Sequence, residues 1–232
     1  MNVLAIGAHP FDIALLSGGT LAKYVREGHR VALLAMCLGD SRYPEFTPAR
    51  AELRRQEYRD MAAVIGAEAY SLEQRDFRVH NDGDTRLRTI EVMRQVGPKV
   101  VLTHDPHEYS GDHRTTGELV GDCLHMSKQP GVRTETPPLS LHPEVICMDT
   151  VAGMRFDPEQ YVDITEVMPT KLEMIRAFAE EVGEWEHDPV FDTVEWVETH
   201  ARFRGLQCGV RYAEAFRRPH LWGRMSVARW LP

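Results

Sequence analysis

Two short stretches of this chain carry side chains that could hold a divalent metal ion. The first is Ala8-His9-Pro10-Phe11-Asp12, with an imidazole and a carboxylate three positions apart. Pro10 fixes its own φ and pushes His9 toward an extended backbone, so the chain turns sharply there and His9 and Asp12 can converge. The second runs Thr103-His104-Asp105-Pro106-His107-Glu108-Tyr109-Ser110-Gly111-Asp112-His113, three histidines and three carboxylates in eleven residues. Taken singly, either stretch reads as a polar loop with surface histidines. Together they fall at the ends of two predicted parallel strands, where open α/β sheets bind their ligands. His9, Asp12 and His113 are the expected metal ligands. Imidazole and carboxylate suit Zn²⁺, and also Fe²⁺ or another divalent first-row ion. Three protein ligands leave a fourth position for water, whose pKa zinc lowers to about 7.

The elements that must position these residues alternate in kind. Val3–Gly7, Val31–Cys37, Glu68–Leu72 and Lys99–Thr103 are short apolar or mixed runs that read as strands, the continuous ones buried on both faces. Between them, helical patterns run over Gly18–Glu27, Arg50–Ile65 and Thr85–Val96, closed by Gly28, Gly66 and Gly97-Pro98. Gly39–Pro48 is a polar loop long enough to serve function. Thr115–Met126 predicts a further helix, Lys128–His142 a loop, and Glu144–Met148 a strand. Tyr161–Thr165 reads as a short strand running into an N-cap at Thr165. Lys171–Glu181 and Val194–Phe203 are expected helices, and Tyr212–Phe216 a terminal strand. The alternation predicts an α/β fold with a mostly parallel sheet and helices on both faces. One domain is expected over 1–232, with 1–150 as the α/β core and 151–232 completing it.

Composition sets bounds. The chain has 232 residues, 43% hydrophobic and 27% charged, which describes a globular domain with a sizeable core. A formal charge of -8 argues against a nucleic-acid partner. No run is long enough to span a bilayer, and the opening MNVLAIGAHP lacks the basic region of a secretory signal. Cys37, Cys123, Cys147 and Cys208 form no C-x-x-C pair and read as small core residues in a reducing, cytoplasmic setting. A small-molecule substrate is the expected partner, and the less regular C-terminal third is a candidate lid or homo-oligomer surface.

In order and spacing, His9-Pro10-x-Asp12, Gly18-Gly19-Thr20, Arg54-x-x-Glu57, Asp112-His113 and Tyr212-Ala213-Glu214-Ala215-Phe216 resemble the LmbE/PIG-L family of metal-dependent N-acetylglucosaminyl deacetylases. The resemblance runs from residue 3 to about 220. It implies a Rossmann-like fold and metal ligation by His9, Asp12 and His113, the same three residues. It also marks departures. The family's base aspartate is replaced by Phe11, a histidine of its second motif by Ser110, and a glutamate after the first motif by Ala14. Phenylalanine cannot accept a proton, so another group must do that work: Asp112, His107, Asp40 or Glu57. Ser110 can donate a hydrogen bond but carries no charge.

Three functions are therefore open. The first is a zinc-dependent hydrolase that deacylates a small polar or sugar-like amide. The second is a hydratase or lyase acting on an unsaturated keto acid; a related hydratase acting on oxalomesaconate resembles this variant in lacking the base aspartate. The third is a metal- or ligand-binding protein without turnover, with Phe11 as an apolar wall. Arg54 and Glu57, at i and i+3 of a helix, read as a surface ion pair or, by the resemblance, as pocket residues. Arg42 and Tyr43 are candidate substrate contacts on the loop after the second strand. Gly18-Gly19-Thr20 could cradle an anion or allow close packing. Trp185, Trp196, Trp222 and Trp230 read as packing residues, and Glu180, Glu181, Glu184 and Glu186 as a solvated helix end.

Overall fold

The structure, a computed structural model, describes residues 1–42, 45–178 and 192–219. Seven strands form one sheet in the order β3-β2-β1-β4-β5-β7-β6. They are β1 (Asn2–Gly7), β2 (Arg30–Cys37), β3 (Glu68–Gln74), β4 (Val100–Thr103), β5 (Glu144–Met148), β6 (Gln160–Asp163) and β7 (Ala213–Arg217). β3 through β5 pair in parallel, whereas β7 runs antiparallel between β5 and β6. The strands of the C-terminal third thus extend the same sheet. Among the described residues there are six α-helices: α1 (Pro10–Arg26), α2 (Pro48–Val64), α3 (Gly83–Val96), α4 (Gly111–Met126), α5 (Met168–Arg176) and α6 (Thr193–Cys208).

Alternation along each strand divides the core in two. Val3, Ala5, Leu33 and Ala35 face one layer, shared with apolar residues of α1, α2, α5 and α6. Leu4, Ile6, Leu34 and Met36 face the other, shared with α3 and α4. Successive side chains of a strand point to opposite faces, so strands covered on both sides must be apolar throughout. The α/β sheet with helices on both faces is as expected.

Several boundaries differ from the sequence expectation. α1 begins at Pro10, not Gly18, with His9 extended at its N-cap (φ −122°, ψ 155°). Pro10 therefore opens a helix rather than turning a loop, the position where proline loses no hydrogen bond. The helix is buried continuously from Pro10 to Ala22, so no polar face betrays its period. α4 begins at Gly111, not Thr115, because its first turn is polar. Within 39–48, Asp40–Arg42 forms a 3₁₀ turn and Thr47 caps α2. Ile164, not Thr165, precedes the helical turn after β6, and Thr165 N donates to Asp163 Oδ1. α5 begins three residues earlier than expected, and its expected extension past 178 lies outside the described residues. Cys208 is exposed, while Cys37, Cys123 and Cys147 are buried thiols. No helix among the described residues is long and apolar enough to cross a membrane.

Gly18-Gly19-Thr20 lies inside α1 rather than at its start. It does cradle an anion, one supplied by the chain itself. Glu214 accepts from Gly19 N at 2.8 Å and from Thr20 N at 2.7 Å, and Lys171 Nζ bonds both Glu214 (2.7 Å) and the Leu15 carbonyl (2.6 Å). A buried ion pair from α5 and β7 is thereby inserted into the hydrogen-bond ladder of α1. The close packing expected of these glycines is also real, but against another partner: a Cβ at Gly19 would stand 2.7 Å from Ile164 Cγ2, just before α5.

Candidate active site

β1 and β4 are neighbours, and the helices that follow them cover opposite faces of the sheet. A crevice opens outside the strand ends where the connections part in this way. α1 brings His9, Phe11 and Asp12 to it, and α4 brings Asp112 and His113. Both stretches singled out as candidate metal sites thus lie at the first turns of helices. Gly117 allows α4 to approach closely, since a Cβ there would lie 2.5 Å from the His104 carbonyl oxygen.

The three expected ligands meet. Asp12 Oδ2 lies 2.9 Å from His9 Nδ1 and 3.1 Å from His113 Nε2. These donor atoms, together with the residues behind them, fit a divalent ion. His113 Nδ1 bonds Glu108 Oε1 at 2.7 Å, and the His104 ring stacks on His113 at 4.0 Å. His9 Nε2 faces two carboxylates, Asp76 Oδ1 and Asp112 Oδ2, each at 3.7 Å. Outer carboxylates that hold ligand imidazoles by their second nitrogen are usual in metal sites. A second cluster of compatible groups, His104, Glu108 and His113, shares His113, with His104 Nδ1 3.5 Å from Glu108 Oε2.

Electrostatics match the geometry. Burial opposes charge on both histidines, yet the neighbouring carboxylates together outweigh it, Asp12 and Asp112 beside His9 and Asp12 and Glu108 beside His113. His9 is held well above the usual imidazole range, and His113, with Glu108 also contributing, stands at about 9. Burial disfavours charge on Asp12 too, but the flanking His113 and His9 hold it well below the usual carboxylate range. The site is built for positive charge. Cys37 and Asp112 form a further compatible group with His9, and burial pushes the Cys37 thiol up to about 12.

A cavity of about 410 Å³ opens over the donor atoms. Its described lining comprises His9, Phe11, Asp12, Gly39, Ser41, Arg54, Asp76, Phe77, His113, Val151 and Trp196. Phe11 and Arg54 are therefore on the wall. Arg54 is 2% exposed, and it donates to the Leu38 carbonyl at 2.9 Å and to Glu57 at 2.7 Å. The Arg54–Glu57 pair is thus buried rather than on the surface, with Glu57 behind the wall. Asp112 sits behind His9 and accepts from Phe77 N (2.6 Å) and Val79 N (3.3 Å). Ser110 is the N-cap residue of α4, its hydroxyl making no cap bond. His107 and Asp40 point elsewhere. The His107 side chain is 82% exposed and bonds Asp105, while Asp40 bonds Arg75 (2.6 Å) and Asp76 N (2.7 Å). Arg42 belongs to the 3₁₀ turn beside the cavity; its side chain, and Tyr43 altogether, lie outside the described residues. So do Trp185, Trp222, Trp230 and the acidic run at 180–186. A larger groove of about 670 Å³ runs along α6 past Arg202, Phe203 and Leu206, with no metal-ligating group among its described lining residues.

Asp76 and Phe77 are site residues that the sequence reading missed. They follow β3, and the rule that singled out His9, proximity to the carboxyl end of a strand, applies to them equally.

The fold places a His-Asp-His cluster that could hold a metal ion at the switch point of an open α/β sheet, where enzymes of this class bind their ligands. Residues 4–124 match the family described as PIG-L: GlcNAc-PI de-N-acetylase, and the chain belongs to that family. Diacetylchitobiose deacetylase of Thermococcus kodakarensis is 29% identical, over 93% of this chain and 82% of its own. 4-Oxalmesaconate hydratase of Pseudomonas putida is 25% identical, over 80% of this chain and 76% of its own. The N,N'-diacetylchitobiose deacetylase structure from Pyrococcus horikoshii superposes with a TM-score of 0.80 at 28% identity, covering 93% of this chain and 82% of that one. These relatives are enzymes, and so is this protein; the reading without turnover falls.

Proposed function

We propose that the protein deacylates a small amide, using a divalent ion held by His9, Asp12 and His113. One observation carries this reading: three ligand atoms from two helix starts converge about Asp12 Oδ2, within 2.9 and 3.1 Å, at the base of a cavity. The chemistry of the donor set favours Zn²⁺, with Fe²⁺ as the alternative. When bound, such an ion acidifies water and polarises a carbonyl oxygen. In the net reaction a water oxygen bonds the carbonyl carbon, the C–N bond breaks, and a proton passes to the departing nitrogen, leaving a carboxylic acid and an amine. Asp76 is the carboxylate beyond the ligand set on the described cavity wall, and in this proposal it handles that proton in place of the aspartate that Phe11 replaces. Asp112 holds His9 in orientation. His107 and Asp40 are not among the described residues of the cavity lining, and are given no part.

A hydratase is the second reading, favoured by one observation: Phe11 stands where the family resemblance implies a base. Against it, Arg54 is the one arginine or lysine among the described lining residues and is already paired with Glu57. A polycarboxylate substrate would call for more positive charge.

The test is to load the purified protein with zinc and assay two reactions: release of amine from N-acyl amides, and loss of conjugation in an unsaturated keto acid. Amine release, abolished in His9→Ala and His113→Ala, is the expected result. Hydration without amine release would replace the first reading by the second.

A further inference from the structure

Beyond the ligand atoms, three aromatic side chains, Phe11, Phe77 and Trp196, line the cavity. Phe11 stacks on Trp196 with centroids 6.0 Å apart and planes at 27°, and Phe178 meets it edge-on at 5.9 Å. Phe77 lines the same cavity from the loop after β3, yet it is 84% exposed. Its backbone lies at φ 57°, in the left-handed region that bulky residues rarely adopt. The hydrogen bond from its N–H to Asp112 holds it there. A strained, exposed aromatic residue beside a site is a pointer to ligand contact.

The polar groups of the wall are already matched. Asp76 accepts from Gly39 N (3.2 Å), Ser41 N (3.1 Å) and Ser41 Oγ (2.8 Å), and Arg54 gives to Leu38 and Glu57. A polyhydroxylated ligand would give up its bonds to water and find few partners among the described residues. An aryl ring would lose little and gain contact with the rings around it.

Resting on the deacylase reading, we propose that the substrate is an aryl amide whose ring packs against Phe11 and Trp196, with Phe77 as a further contact. Phe77 is then a specificity residue. Hydrolysis would release an amine and a carboxylic acid, one of which carries the ring.

The test uses zinc-loaded protein and binding rather than turnover. Acetohydroxamate and benzohydroxamate share one metal-chelating group and differ by the ring. Calorimetric titration should show benzohydroxamate binding about tenfold more tightly, and Phe77→Ala should narrow that ratio to about threefold. Tight but equal binding of the two would overturn the aryl assignment while leaving the metal site standing. If neither binds, the metal site itself fails, and the aryl assignment with it.

Discussion

Glu108 Oε1 lies 2.7 Å from His113 Nδ1, an atom that faces away from Asp12, while Nε2 of the same ring stands 3.1 Å from Asp12 Oδ2. The contact fixes both the tautomer and the tilt of the imidazole, so that Nε2 offers its lone pair to a metal ion. Glu108→Gln keeps the shape but weakens the acceptor. Zinc affinity should fall by about 10–100-fold, measured by competition with a chromophoric chelator. Unchanged affinity would remove Glu108 from the metal site.

The pH dependence of metal binding follows from the charges around Asp12. A metal ion binds neutral imidazole, and in its absence His113 keeps its proton up to about pH 9, with His9 also raised. Burial works against those protons, but the neighbouring carboxylates together prevail. Protons therefore compete with the ion below pH 9, and apparent affinity should rise as pH rises from 6 to 9, by up to about tenfold per unit for each proton displaced. Titrations at several pH values check this; a flat profile would contradict it.

Phe11 ties chemistry to folding. It is 6% exposed and belongs to the apolar cluster of α1, α2 and α5. Phe11→Asp returns a carboxylate to the position of the family's base, but sets it against Phe178 and Trp196. Phe11→Ala should cost about 3 kcal/mol in urea unfolding, and Phe11→Asp at least as much. If Phe11→Asp kept wild-type stability, the packing described for position 11 would be wrong.

Lys171 and Glu214 are buried together, 1% and 2% exposed at their side chains, and bridge the middle of α1. Lys171→Met leaves Glu214 buried without its cation, and should destabilise by about 3–5 kcal/mol. The double variant Lys171→Met with Glu214→Gln should recover part of that loss, as a double-mutant cycle in urea would read out. Additive losses would mean that the two do not act as a pair.

Much of this was legible beforehand, for physical reasons. Runs such as Val3–Gly7 and Val31–Cys37 declared themselves because strands covered on both faces have no polar side. His9, Asp12 and His113 showed through because few residue types serve as metal ligands. The start of α1 was hidden, since a helix buried all round from Pro10 to Ala22 carries no amphipathic period. Glu214 as the anion cradled by Gly19 and Thr20 was hidden as well, because a contact across 195 positions leaves no local trace. Asp76 and Phe77 belong to no motif, and reach the cavity because β3 ends beside it.

The most direct measurement is anomalous scattering at the zinc edge from crystals grown with Zn²⁺. One peak is expected, bonded to His9, Asp12 and His113 at about 2.0–2.2 Å. No peak there, or a peak held instead by His104 and Glu108, would contradict the site.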